Sequence, residues 1–81
     1  MNRLEQAIID RARDFLADVL DFDEKQKAGT ADDEDRNNSH ADHAALSALL
    51  EFGHMRDCGM SDEGQDALQE IERALAAHLR R

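Results

Sequence analysis

The chain has 81 residues, with 19 acidic against 10 basic side chains, a formal charge of −9 and no proline, tryptophan or tyrosine. That length admits one domain. The charge disfavours phosphate backbones and anionic membrane surfaces, which are held by clustered Lys and Arg, and a lone cysteine, Cys58, excludes an intrachain disulfide. With only Phe15, Phe22 and Phe52 as aromatics, the core must be aliphatic. A core of this size supplies about 3–5 kcal/mol at most, so self-association is expected as the remaining source of stability.

The first predicted helix covers residues 2–27. Met1, Leu4, Ile8, Ala12, Phe15, Val19 and Phe22 recur at steps of three and four, which is one stripe of an α-helix. Ile9, Leu16 and Leu20 lie to one side of that stripe. The apolar sector is therefore wider than one neighbouring helix can cover. Lys25 and Lys27 suit the negative end of the helix dipole, and Gly29 is the expected stop. Residues 28–39, AGTADDEDRNNSH with His40, contain four consecutive acids from Asp32 to Asp35. They read as a solvated acidic loop that could order on binding.

The second helix is expected over 40–57, capped by Ser39 with Asp42 three residues on. Leu46, Leu49, Leu50 and Gly53 form its central stripe, flanked by Ala45 and Phe52, and Gly53 allows another backbone to come close. Ala44, Ala48 and Met55 make a second, small apolar face. The third helix, 61–80, opens at Ser61 with Asp62 and Glu63 in its first turn, where acids are favoured. Its apolar face is Ala67, Leu68, Ile71, Ala74, Leu75, His78 and Leu79, and Arg80 and Arg81 close it. No stretch has the alternation of a strand or the roughly 20 apolar residues of a membrane span. The start, Met1 to Glu5, lacks the apolar run of a signal peptide, and a cytoplasmic setting is expected. The fold class is all-α: a small three-helix up-down bundle or helical hairpin, expected to dimerise.

Chemistry has little to stand on. His40, His43, His54 and Cys58 are residue types that bind zinc, but on one helix His43 and His54 stand about 16 Å apart, so a single ion cannot join them. No metal and no cofactor is expected. The Asp32–Asp35 run lacks the fixed ligand steps, central glycine and closing glutamate of a calcium loop. Acid pairs on the first helix, Asp14–Asp18 and Asp18–Asp21, have no desolvated pocket to separate their protonation. Cys58, near a helix C-terminus, lacks an activating environment, and no phosphate loop or nucleophile elbow occurs. An enzyme is not expected.

What is left is surface. Two apolar seams, Ile9–Leu16–Leu20 and Ala44–Ala48–Met55, are the expected partner or dimer interfaces unless the chain's own helices cover them. In size, charge and expected architecture the whole chain resembles the small acidic helical accessory proteins of bacteriophages. Those of Pseudomonas phages include inhibitors of the pilus-assembly ATPase, of quorum-sensing regulators and of CRISPR systems. The resemblance implies a non-enzymatic module that binds and inhibits a larger host protein, and it transfers no functional residue; the acidity separately steers the chain toward a partner with a basic surface. A second reading is a nucleic-acid mimic that blocks a basic groove with Asp10, Asp14, Asp18, Asp21, Asp32, Asp33, Glu34 and Asp35. A third is a small dimeric regulator or antitoxin-like protein. Direct nucleic-acid binding is not expected, because a helix opening with Asp62, Glu63 and Asp66 would meet phosphates with three acids.

Overall fold

The computed structural model describes residues 2–55 and 59–79. Three helices follow one another: α1, Arg3–Ala28; α2, Asp33–His54; and α3, Asp62–Leu79. Among the described residues there is no strand, so the chain is a small all-α three-helix bundle. Its longest dimension is 41 Å, and a 26-residue helix such as α1 is about 39 Å long at 1.5 Å per residue. The helices therefore lie side by side along one axis. Met1, Arg56, Asp57, Cys58, Arg80, Arg81 and the side chain of Leu79 lie outside the described residues, and with them the expectations placed on those positions.

α1 begins where Asn2 accepts a hydrogen bond from the Glu5 amide at 2.8 Å, which satisfies one of the donors a helix start leaves open. It ends at Gly29, whose φ of 75° is the left-handed conformation that only glycine adopts without strain. Paired bonds from Gly29 N to the Gln26 carbonyl and from Thr30 N to the Lys25 carbonyl complete a Schellman-type stop.

The expected acidic loop over 28–39 is corrected to a connection of four residues, 29–32, because α2 starts at Asp33 rather than at 40. Asp32, not Ser39, is the N-cap. Its carboxylate accepts from the Asp35 amide at 2.8 Å while Asp35 accepts from the Asp32 amide at 3.2 Å, a reciprocal capping box made by two aspartates. Asp33, Glu34 and Asp35 then occupy the first turn, where the helix dipole favours negative charge. The acid run that looked like a solvated loop is a helix start. At the other end, α2 stops at His54, with Met55 extended (φ −68°, ψ 136°), earlier than the expected 57. Gly53 weakens that last turn by its low helix propensity.

The core consists of Ile9, Ala12 and Val19 from α1, Leu46 and Leu50 from α2, and Leu68, Ile71 and Leu75 from α3. Ile8, Phe15, Leu16, Leu49, Met60 and Ala67 pack around it. The expected α1 stripe is thus rotated. The buried line runs through Glu5, Ile9, Ala12 and Val19, and Leu4 is 69% exposed. Two neighbouring helices cover the middle of the broad apolar sector, so the small Ala12 lies at the centre and the larger side chains flank it. In α3, Ala74 is exposed and Ala76 takes the half-buried place beside Leu75.

Candidate functional site

A buried side-chain link joins the start of α1 to the start of α3. Glu5 is 5% exposed. One of its oxygens accepts from the Ser61 amide at 3.1 Å and the other from the Ser61 hydroxyl at 2.7 Å. Ser61 Oγ in turn accepts from the Gly64 amide at 3.2 Å, which makes Ser61 the N-cap of α3. A carboxylate on the amide and hydroxyl of a helix N-cap is a charge-assisted arrangement. Gly64 makes room for it, since a Cβ there would stand 2.7 Å from Glu5 Oε2 and 3.1 Å from Met60 Cε. No buried side-chain nitrogen or oxygen lacks a partner among the described residues. Glu5 is therefore a latch, satisfied within the chain.

Of the two expected seams, the first is closed. Ile9 is 0% exposed, and Leu16 packs against the core, so Ile9 is corrected from an interface position to a core one. Leu20 is half-buried. The sector is wide because two helices share it, and both belong to this chain. The second seam is open: Ala44 and Ala48 are exposed and Met55 is 60% exposed.

Two concave places lie between helices. The first, about 320 Å³, sits between the C-terminal half of α1 and the N-terminal half of α2, lined among others by Asp18, Asp21, Phe22, Lys25, Asp35 and Asp42. Lys25 in its lining stands 3.7 Å from Asp21 and 3.8 Å from Asp35, and Asp18 and Asp42 add two further carboxylates to the same lining. The early start of α2 creates this cleft by bringing Asp35 opposite α1. The remaining expected acidic positions, Asp10, Asp14, Asp32, Asp33 and Glu34, are exposed elsewhere along the two helices.

The second, also about 320 Å³, is a groove between α2 and α3 with Leu50, Leu75 and Ala76 in its lining and His43, Glu51, His54 and Glu72 around them. His54 Nε2 and Glu72 Oε2 meet at 2.6 Å across it. Both are about half exposed, which limits the pair to roughly 0–1 kcal/mol. Gly53 sits behind the same helix pair. The expected close backbone approach there is instead a side chain: a Cβ on Gly53 would meet Leu68 Cδ1 at 2.5 Å.

The histidines are spread out. His40 is exposed on α2, His43 and His54 line the groove, and His78, half-buried at the far end of α3, stands 3.5 Å from Asp23 on α1. Asp23 also holds Lys27 at 3.1 Å. Among the described residues no three His, Cys, Asp or Glu are grouped as a metal site, and Cys58 lies outside them. No helix among the described residues is long and apolar enough to cross a membrane.

Sequence reasoning missed the Glu5 latch, the convergence of acids in the cleft and the His54–Glu72 contact. The signal for the first was present in Gly64, a glycine inside an otherwise well-formed helical pattern, which often marks a close approach. No protein-family model, curated protein or solved structure matches the chain.

Proposed function

We propose that this chain is a non-enzymatic interaction module that binds and blocks a larger protein in the cytoplasm, in the manner of the phage accessory proteins it resembles. The single observation that supports the reading most is the outer face of α2. There Ala44, Ala48 and Met55 are turned to solvent on an element whose other side is fixed by Leu46 and Leu50 in the core. A helix whose outer face carries small apolar side chains around Glu51, set in a surface of net charge −9, suits a partner that offers an apolar patch with a basic rim. The test is capture from bacterial lysate by the tagged chain, with Ala48→Glu as the paired control. A partner retained by the native chain at high salt and lost with Ala48→Glu is the expected result. Equal capture by both forms removes this face from the reading.

A second reading, the nucleic-acid mimic, is favoured by one specific observation: Asp18, Asp21, Asp35 and Asp42 line one cleft in which Lys25 is the one cation among the described residues. Such a surface would occupy a groove built for phosphates. Its affinity would fall steeply between low and physiological salt. That behaviour separates it from the apolar face, whose binding is expected to persist.

A further inference from the structure

The groove between α2 and α3 and the exposed start of α1 are complementary in polarity and charge. The groove runs along the helix axes. Its α2 wall is followed by His43, Ser47, Leu50 and His54, at spacings of four, three and four residues, or about 16 Å of helix. Leu50 and Leu75, each 7% exposed, form its apolar floor with Ala76, and Glu51 and Glu72 are carboxylates along it, Glu72 already in contact with His54. Glu51 has no ion-pair partner among the described residues.

The start of α1 carries the opposite pattern. Leu4, at 69% exposure, shares one line of the helix with Ile8 and Arg11, taking 100° per residue. Arg11 lies over the Phe15 ring at 5.1 Å, which keeps its guanidinium on this line. Arg3 adjoins Leu4 and, like Arg11, has no ion-pair partner among the described residues. The line from Leu4 to Arg11 is about 10 Å long, short enough to lie within the groove. Among the described residues there is no strand edge to extend. A docked segment must therefore be held by side chains, as a helix in a groove is.

We propose that a second copy of this chain covers the α2–α3 groove with the start of its α1, Leu4 and the outer edge of Ile8 lying over Leu50, Leu75 and Ala76 while Arg3 and Arg11 meet Glu51 and join His54 at Glu72. This goes beyond the functional reading and does not rest on it: the contact shares only Glu51 with the Ala44–Met55 face and leaves Ala44, Ala48, Met55 and the acidic cleft free. Self-association can hold while partner capture fails, and the reverse.

Sedimentation equilibrium of the full chain tests it, at about 0.5 mM protein and roughly 50 mM salt, where exposed charges are weakly screened. The expected mass average rises toward at least twice the monomer's 9.1 kDa. Leu4→Glu is expected to return it to the monomer with unchanged helicity by circular dichroism, since that side chain lies outside the core. Two charge-reversed forms supply the decisive arm. Arg3→Glu with Arg11→Glu, and separately Glu51→Arg with Glu72→Arg, are each expected to be monomeric alone, because each places like charges at the contact. Mixed in equal amounts they are expected to associate again, since every ridge then faces a groove of opposite sign. A native chain that stays monomeric at that concentration overturns the proposal. So does association that survives Leu4→Glu, or a mixture of the two charge-reversed forms that remains monomeric.

Discussion

Glu5 is the residue on which the join between the first and third helices turns. Its carboxylate is nearly out of water, and it is stabilised there by two donors from Ser61. Hydrogen bonds to a charged group are worth about 1.5–3 kcal/mol each, and removing a partner leaves the other group buried and unpaired. Glu5→Ala is therefore expected to lower unfolding free energy by about 2–3 kcal/mol, measured by urea titration monitored at 222 nm. A loss below half a kcal/mol would show that Ser61 finds water instead. Gly64→Ala gives a complementary prediction. In an exposed helix the exchange stabilises by up to about 1 kcal/mol, but here the added Cβ comes within 2.7 Å of Glu5 Oε2. The close approach is expected to reverse the sign, so that Gly64→Ala destabilises the native chain. In a Glu5→Ala background, with that carboxylate gone, the same substitution is expected to be neutral or stabilising. A double-mutant cycle between the two positions checks this directly.

At the scale of elements, the early start of α2 has the most consequence. Seven further residues, 33–39, join the helix that the sequence pattern begins at 40, about two turns, and Asp35 is thereby placed within reach of Lys25. Those turns add nothing to the core, with Asn37 and Asn38 exposed, so they are held chiefly by the cap and the dipole, with the Lys25–Asp35 pair beside them. Asp32→Ala is thus expected to cost about 1 kcal/mol and to fray the segment as far as Ser39, seen as faster amide exchange over 33–38 with the rest of α2 unchanged. Uniform exchange along α2 would mean that the helix start is held by something other than its cap. The first helix yields the next prediction. Because Leu16 packs on the core, Leu16→Glu is expected to destabilise the fold itself rather than to detach a partner, and a thermal melt of the variant decides between the two.

Taken as a whole, the molecule is three rods around a thin aliphatic line, in which, among the described residues, only Ile9 and Leu46 are large side chains fully out of water. A core so slight makes each central leucine count. Leu46→Ala is expected to cost about 2–5 kcal/mol, a large share of the 3–5 kcal/mol a chain of this size commands. Leu49→Ala, at a half-buried site on the rim of the core, should cost clearly less, and the ranking of the two in thermal melts tests the placement of the core line. A slight core also leaves apolar groups such as Leu4 and Met55 in solvent.

The helical class and the number of helices follow from local chemistry, which is why they can be read from the residues in order. Helix-forming composition, steps of three and four, Gly29 and Ser61 each act within a few positions of themselves. The rotation of α1 could not be read that way. Its apolar sector spans both the Leu4–Ile8 line and the Ile9–Leu16 line, and only the placement of two neighbouring helices decides that Ile9 is buried and Leu4 exposed. The start of α2 was also ambiguous, because four consecutive acids repel one another in a loop yet are favoured at a helix N-terminus. Asp32 and Asp35 had to be recognised as capping each other. The latch between Glu5 and Ser61 spans 56 positions, and the groove and the cleft are made by residues from different helices. Sequence order carries periodicity and caps; which faces meet, and which are left open for another molecule, is decided by packing, since burial is a property of the neighbours a residue acquires and not of the residue itself.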